Sequence, residues 1–324
     1  MKPFESFLAP KLNDFLTYRQ SLGYSLDTIR DHLLLFDRYV MEKNAGWHSF
    51  EPSFFLDMRT NIKLGKNSVN ANIWAVRNFF QFLIRQGHMK ENPLQDIPLF
   101  KKNTIVPFVF SPSQTDQLLA AVGKRIRKTK YRFLRDLAFY NIVLLLARCG
   151  MRISEPLRLQ RHHYRRDDRT LYIEKTKFCK DRLIPIPGEV VSEIENYLSV
   201  RRSILPDDDS PFLLVRTDQK PLGDHQIRFL FHKTLKDIGL DQPKRVIGNV
   251  NFLQPTPHSL RHSFAVNTLL KIRERGGNPQ HALPVLAAYM GHCEYKYTSV
   301  YLRVTDAISR KNLVDFSLWQ ERKE

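Results

Sequence analysis

A histidine and several tyrosines lie close together near the end of the chain, in the stretch MGHCEYKYTSVYLR that begins at Met290. A tyrosine hydroxyl is a poor nucleophile at neutral pH, because its pKa of about 10 opposes ionisation by about 4 kcal/mol. Positive side chains would reduce that cost and would also hold a phosphodiester, so tyrosine beside Arg, Lys and His indicates covalent attack on a phosphate. The candidate nucleophiles, which follow His292, are Tyr295, Tyr297 and Tyr301. Their spacing alone is more typical of a packed helix face, so the hypothesis depends on partners elsewhere in the chain.

Three upstream segments offer such partners. Arg152 and Glu155 lie in CGMRISEPLRL, and Lys177 lies in TKFCKDRLIPIP. The motif HSLRH places His258 and Arg261 one helical turn apart. Taken singly, each segment has an ordinary explanation: a surface arginine at a helix start beside a capping glutamate, an exposed lysine in a hairpin turn, and a polar helix face. Their order along the chain is more specific than any one of them.

The order and spacing of these residues resemble the tyrosine recombinase family, which includes the phage integrases and the Xer recombinases. The pattern is an arginine, then a lysine in a β-turn followed by KDRLIPIP, then HxxRH, and then Gly-His with a tyrosine nine residues later. The resemblance covers almost the whole chain. It implies a site-specific DNA recombinase, either an integrase or a transposon recombinase, that cleaves and rejoins strands through a 3′-phosphotyrosine.

The resemblance also implies which residues attack and hold the phosphate. Tyr301 would be the nucleophile, because it stands at the family's distance from His292. Arg152 and Arg261 would hold the non-bridging oxygens of the phosphate, since a guanidinium can donate two parallel hydrogen bonds. His292 would add a further hydrogen bond to the same phosphate.

The remaining roles implied by the resemblance concern proton transfer. Lys177 would protonate the departing 5′ oxygen, with a pKa lowered by the nearby guanidiniums. His258 would assist proton transfer at the tyrosine or the phosphate, and Glu155 would support the site without reacting. No metal or cofactor is expected, and the sequence shows neither a P-loop nor a clear carboxylate cluster for a two-metal site.

Two alternative functions remain open at this point. One is a catalytically idle DNA-binding accessory subunit of a multi-recombinase element, which the complete set of catalytic residue types disfavours. The other is a type IB topoisomerase, which shares the chemistry without choosing a site; the recombinase-like helical bundle and the tail after the tyrosine disfavour it. The chain begins almost at that bundle, so a compact Xer-like or transposon recombinase without an arm-site domain is expected.

The composition favours a polyanionic partner. The 324 residues include 51 Lys and Arg against 33 Asp and Glu, a net charge of +18 that is spread along the chain. Double-stranded DNA is therefore the expected partner. Cys149, Cys179 and Cys293 have neither metal-binding nor CxxC spacing, which is typical of a reducing compartment. The N-terminus lacks an apolar signal core and no apolar run could span a membrane, so we expect a cytoplasmic protein acting at the nucleoid.

The hydrophobic pattern predicts a mostly α protein with a small β-sheet in two domains. Residues 1–92 are expected to form a bundle of about four helices, with Ser25 capping the second, and residues 93–112 a linker. The resemblance implies that this bundle is a core-binding, SAM-like domain. Residues 113–324 would form an α+β catalytic domain, and the resemblance implies that the two domains clamp DNA. The resemblance also implies that the tail, 302–324, docks on a neighbouring protomer and joins a homotetramer, or a heterotetramer with a related recombinase. The alternative is a tail helix that covers its own domain.

Local patterns predict several elements in more detail. Asp136–Arg148 is apolar enough to be a buried helix. Thr170–Ile173 and Arg182–Ile186 should be two strands of a hairpin, whereas Asp241–Pro255 has no clear period and is expected to be a loop. Four cations of the bundle could face either DNA phosphates or solvent, namely Lys63, Lys66, Arg77 and Arg85.

Overall fold

A computed structural model of the chain describes residues 2–101, 104–174, 181–248, 250–292, 297–302 and 304–305. The chain divides into two compact units, Met1–Asn103 and Thr104–Glu324. The described residues are mainly helical with two small sheets, which confirms the predicted fold class. In this part of the chain, no helix combines the length and the apolar character needed to cross a membrane.

Residues 2–101 of the first unit form four α-helices, in line with the bundle of about four predicted from the sequence. Buried aromatic rings form its core because the apolar residues of each helix recur every three or four positions. Phe80 meets Phe36, Phe55 and Phe79 edge to face, the arrangement that the ring quadrupole favours. The helices are α1 Ala9–Ser21, α2 Asp27–Glu42, α3 Pro52–Asn61 and α4 Lys66–Arg85.

The start of α2 differs from the prediction. Ser25 does not cap the helix, because α2 begins at Asp27 after Leu26, and Leu26 makes no side-chain cap bond. The acidic side chain of Asp27 lies in the first turn instead, where a negative charge favours the helix dipole. The cap assigned from the sequence is therefore wrong, although the helix itself is present.

Arg77 on α4 is half-buried and uses two of its donors within the first unit. Its Nε donates to the carbonyl of Leu94 at 3.0 Å, and its Nη2 donates to the carbonyl of Ile97 at 2.8 Å. Asn70, also on α4, holds both the N–H and the carbonyl of Phe100 at 2.8 Å. Leu94 and Ile97 are buried. The segment that follows α4 is thus held against the core of the first unit, and Arg77 has a structural role there that the sequence did not predict.

The second unit is built around one apolar helix. Its longer helices among the described residues are α5 Pro112–Lys124, α6 Lys130–Cys149, α7 Gly188–Ile204, α8 Asp224–Asp237, α9 Pro257–Glu274 and α10 Pro279–Met290. Because α6 is apolar around most of its circumference, it packs against α5, α7 and α9 at once. This confirms the buried helix predicted over Asp136–Arg148.

The described residues of the second unit also form six short strands: β1 Thr104–Val106, β2 Tyr164–Arg165, β3 Thr170–Ile173, β4 Arg182–Pro185, β5 Arg245–Ile247 and β6 Val250–Phe252. One sheet has the antiparallel order β2-β3-β4, with Ile173 opposite Arg182. The hairpin predicted from the sequence is β3–β4 and is confirmed. α10 packs against β4 and α9, so the ends of these three elements meet.

The second sheet corrects the loop predicted over Asp241–Pro255. Within that range β5 and β6 form an antiparallel hairpin, and β6 pairs in parallel with β1, with Val106 opposite Phe252. Each strand has only three residues, and none of the residues in β5 is buried. A strand as short and exposed as β5 shows no hydrophobic alternation in the sequence, and β1, the second partner of β6, lies far earlier in the chain.

Candidate active site

The turn after α6 positions Arg152 and Glu155. Gly150, directly after the helix, has a φ of +58°, which glycine adopts without strain. A Cβ at Gly150 would lie 2.4 Å from the ring of Phe264, so only glycine fits. Arg152 then lies in a turn that precedes a short 3₁₀ helix, Pro156–Arg158. The α-helix predicted to start at Arg152 is therefore wrong.

Glu155 folds back onto Arg152 instead of capping an α-helix. Its carboxylate accepts the backbone N–H of Arg152 at 2.9 Å and the Nη1 of the same residue at 3.0 Å. The Nη2 of Arg152 donates to the carbonyl of Gly291 at 2.9 Å, next to His292. These contacts fix the guanidinium, while 23% of the side chain stays exposed and accessible to an anion.

Arg261 on α9 is the most deeply buried cation of the site, with 1% of its surface exposed. Its Nη1 donates to the carbonyl of Gly150 at 2.7 Å, and its Nη2 donates to the carbonyl of Met290. These two bonds join the end of α6 to the end of α10. Burial and the positive charge of Arg152 lower the pKa of Arg261 to about 9, which still leaves it protonated at neutral pH.

Arg182, the first residue of β4, is a part of the site that the sequence did not reveal. Its Nη1 and Nη2 donate to the two oxygens of Glu155 at 3.1 and 3.0 Å, and its Nε donates to the carbonyl of Tyr289 at 2.7 Å. Burial raises the pKa of Glu155, but the hydrogen bonds and charge of Arg182 outweigh burial and hold it below its usual value. Arg182 lies in the quoted KDRLIPIP motif, where nothing local distinguishes it from a solvated strand residue.

We call Arg152, Arg182, Arg261 and Glu155 the cationic floor. Three guanidiniums around a single ionised carboxylate leave a net positive charge, which suits an anion such as a phosphate. Lys177, the remaining predicted cation, lies in the connection between β3 and β4, outside the described residues. The floor joins β4 to the turn that carries Arg152. Strand β4 begins directly after the connection that contains Lys177.

The second part of the site is a group of aromatic rings, which we call the ring cluster: His258, His262, His292 and Tyr301. The Tyr301 hydroxyl lies 3.1 Å from Nδ1 of His262 on α9. The His258 ring packs nearly perpendicular to His262, with centroids 4.6 Å apart, and the His292 ring stacks on Tyr301 at 6.2 Å. The Nδ1 of His292 also lies 2.7 Å from the hydroxyl oxygen of Thr298.

Burial and neighbouring charge keep the ring cluster neutral. Burial, then the charge of His258 and Arg261, lowers the pKa of His262 to about 3. Burial of His292, and then the charges of Arg261 and Arg152, lowers its pKa to about 4. His258 has an exposed side chain, and the protein atoms on its inner side and the same two arginines lower its pKa below the ordinary value. Burial raises the pKa of Tyr301, although the charges of the floor oppose that effect. At neutral pH the three histidines are therefore hydrogen-bonding groups without charge.

The structure brings together five of the six predicted site residues: Arg152, His258, Arg261, His292 and Tyr301. Residues 297–302 are helical, and this helix separates two of the candidate nucleophiles. Tyr301 is 4% exposed against the histidines, whereas Tyr297 is 48% exposed. Tyr295 lies outside the described residues.

His262 is the second site residue to which sequence reasoning gave no role. Its signal was present, because the final histidine of HSLRH stands four positions after His258 and so on the same face of α9. Its approach to Tyr301, however, depends on how residues 297–302 pack on α9. Across the described part of the chain, no group of three or more His, Cys, Asp or Glu side chains is arranged to hold a metal ion.

Comparison with known proteins identifies the family. The sequence model described as "Phage integrase family" matches residues 109–307. The tyrosine recombinase XerA of Pyrococcus furiosus is 29% identical over 311 residues, which cover 94% of this chain and 94% of XerA.

Two solved structures share the fold at 16% sequence identity and a TM-score of 0.65. A lambda integrase dimer bound to a COC′ core site matches over 91% of this chain and 76% of that one. The Tn1549 transposon integrase in complex with transposon right end DNA matches over 94% of this chain and 98% of that one. The family model spans more than half of the chain and the whole of the described site, which confirms the resemblance seen in the sequence. The chain belongs to the phage integrase family.

Proposed function

We propose that Tyr301 is the nucleophile with which this site-specific recombinase breaks and rejoins DNA strands. The observation that carries the proposal is the position of its hydroxyl, 3.1 Å from Nδ1 of His262 and within the ring cluster beside the cationic floor. Tyr297, on the same helix, is far more exposed to solvent. A tyrosine held among neutral acceptors and next to fixed positive charge is suited to attack a phosphodiester.

The cationic floor would bind the scissile phosphate. A guanidinium has five N–H donors, and the contacts to Glu155 and Gly291 engage two from the side chain of Arg152. Arg152 is the more exposed arginine and would contact the non-bridging oxygens first. Arg261 would act at closer range to Tyr301, where its buried charge is screened little by water. Both charges would stabilise the extra negative charge of the pentacoordinate transition state.

The chemical step would then proceed by direct displacement. The oxygen of Tyr301 would form a bond to phosphorus, and the bond from phosphorus to the 5′ oxygen would break. Lys177 would give a proton to that oxygen, while His258 and His292 would hydrogen-bond the phosphate. A 5′ hydroxyl from another strand would later attack the 3′-phosphotyrosine and release Tyr301. The energy of the broken bond is kept in the phosphotyrosine, so no nucleotide cofactor is needed for joining.

Double-stranded DNA as the substrate accounts for the net charge of +18. The lambda and Tn1549 integrases that share this fold were solved with DNA bound. The expected core-binding domain, 1–92, and the catalytic domain, 113–324, joined by the linker 93–112, would both contact that DNA at the nucleoid. We extend the proposal to four subunits on two sites, joined by the tail 302–324, either as a homotetramer or with a related recombinase.

A trapped covalent adduct tests the proposed nucleophile. Purified protein is incubated with nicked duplexes tiled across the DNA that flanks its gene, since a nick lets the cleaved fragment diffuse away. A denaturant-resistant protein–DNA adduct is expected from the natural chain and from Tyr297→Phe, but not from Tyr301→Phe. An adduct that persists in Tyr301→Phe contradicts the assignment. Specific DNA binding without any adduct supports the accessory-subunit alternative.

A further inference from the structure

We infer that His262 is a further catalytic residue, which takes the proton of the Tyr301 hydroxyl during strand cleavage and returns it during strand joining. The inference rests on the proposed function, because it takes Tyr301 as the nucleophile. His258, the histidine implied by the resemblance, would then act on the phosphate side of the site.

The geometry separates the two histidines of α9. Among the described residues, His262 is the hydrogen-bond partner of the Tyr301 hydroxyl, with 3.1 Å between Nδ1 and Oη. His258 lies one helical turn earlier, at the exposed edge of the cluster, and its ring meets the ring of His262 instead of the hydroxyl. The ring of His262 lies between those of His258 and Tyr301 and is fixed by both. A contact of this length lets His262 accept the proton of Tyr301 directly, without a bridging water.

The charges that face His262 decide when the proton can move. His258 and Arg261 face it from α9, His292 faces it from the turn after α10, and Tyr301 faces it from the last helix. Burial and these groups lower the pKa of His262 to about 3, so the free protein keeps the proton on Tyr301. A bound phosphate brings negative charge next to the ring, and this charge increases as the oxygen of Tyr301 attacks. Proton transfer is therefore coupled to bond formation and does not precede it.

Two protons move during cleavage. The Tyr301 oxygen forms its bond to phosphorus while its proton moves to Nδ1 of His262. The bond from phosphorus to the 5′ oxygen breaks, and that oxygen takes a proton from Lys177. In joining, the attacking 5′ hydroxyl returns a proton to Lys177, and the imidazolium of His262 returns its proton to the Tyr301 oxygen as that bond breaks.

The pH dependence of adduct formation in His262→Asn tests the inference. Asparagine keeps an oxygen that can accept the hydrogen bond, but it cannot take the proton. At pH 7 the single-turnover rate on a nicked duplex should fall by about 10²- to 10⁴-fold, the usual contribution of a general base. The rate of the variant should rise about tenfold per pH unit as the phenolate fraction grows. Fluorinated tyrosine at position 301, whose phenol is more acidic, should restore part of the lost rate.

Controls make each outcome decisive. His281→Asn, at an exposed position of α10, should keep the natural rate and pH profile. His262→Gln serves if the asparagine variant does not fold. The inference alone is overturned if His262→Asn forms the Tyr301-dependent adduct at the natural rate, or is slower by one constant factor at every pH with no rescue by fluorination. If the natural chain forms no Tyr301-dependent adduct, the proposed function fails and this inference fails with it.

Discussion

The cationic floor and the ring cluster lie side by side but rest on opposite electrostatic principles. In the floor, the three guanidiniums and the carboxylate of Glu155 stay charged. The guanidiniums donate in fixed directions to that carboxylate and to backbone carbonyls. In the ring cluster, burial and that same positive charge keep three histidines neutral. The charge proposed to bind phosphate is thus preorganised, whereas the groups proposed to move protons are uncharged in the free protein.

The two regions should also affect stability in different pH ranges. The histidines of the ring cluster have folded pKa values of about 3 to about 4, below the ordinary value. Unfolded histidines bind protons below about pH 6.5, so the cluster destabilises the folded chain as the pH falls from there toward 4. Glu155 has a lowered folded pKa, so its stabilisation is complete above about pH 4.3 and is lost as the pH falls further.

Replacement of Arg261, the most buried cation of the floor, should have the largest effect on the rate of adduct formation. Arg261→Lys keeps the charge but cannot donate to the carbonyls of Gly150 and Met290 together, so the floor loses its fixed geometry. We expect the rate of adduct formation to fall by about 10²- to 10³-fold, as for loss of one preorganised donor at a transition state. Single-turnover assays at saturating DNA measure this rate.

Arg77→Lys is the matched control, because Arg77 also holds two carbonyls, those of Leu94 and Ile97, but lies in the first unit. It should destabilise that unit by about 1 to 3 kcal/mol while the chemical rate at saturating DNA stays unchanged. Equal loss of rate in Arg261→Lys and Arg77→Lys would mean that the buried arginine of the floor acts through folding alone.

Removal of the carboxylate should have a smaller effect on rate and a distinct pH signature. Glu155→Gln removes the negative charge and turns one of the two acceptor oxygens into an amide donor that faces the N–H groups of Arg152 and Arg182, so the arginines shift. We expect a rate loss of about 10²-fold at most, typical of misplaced groups, and a stability loss of about 3 to 5 kcal/mol at pH 7. Stability should then depend less on pH below about 4.3, because the titrating carboxylate is gone. Urea denaturation at a series of pH values measures both.

Asp208→Asn provides the comparison for Glu155→Gln. Asp208 pairs with the buried Arg201 elsewhere in the second unit, and although burial raises the pKa of Asp208, the hydrogen bonds from Arg201 and its charge hold it low. This variant should lose similar stability and similar pH dependence, yet keep the natural adduct rate. If it loses the rate as well, the effect of Glu155→Gln reports general stability and not the geometry of the floor.

Features set by local sequence were predictable, and features set by distant contacts were not. The apolar run of α6 and the spacing of HxxRH each determine a helix and a face within a few residues. Arg182, by contrast, acts through Glu155 and Tyr289, which lie 27 and 107 positions away in the chain. The hairpin β5–β6 likewise depends on the distant strand β1. For His262, the helix face could be predicted from the sequence, but the contact with Tyr301 could not.

The smallest expected effect comes from the hydroxyl that orients His292. Thr298 is fully buried, and its Oγ1 lies 2.7 Å from Nδ1 of His292. Thr298→Val removes this contact at nearly constant volume and should slow adduct formation about three- to tenfold, in line with the loss of a hydrogen bond of about 1 kcal/mol. Thr298→Ser should restore the rate. The pH profile should keep its natural shape, because His262 still faces the Tyr301 hydroxyl. If the pH dependence of the rate instead becomes steeper in Thr298→Val, His292 would be the acceptor of the Tyr301 proton. The roles proposed for His262 as proton acceptor and for His292 as phosphate ligand would then be reversed.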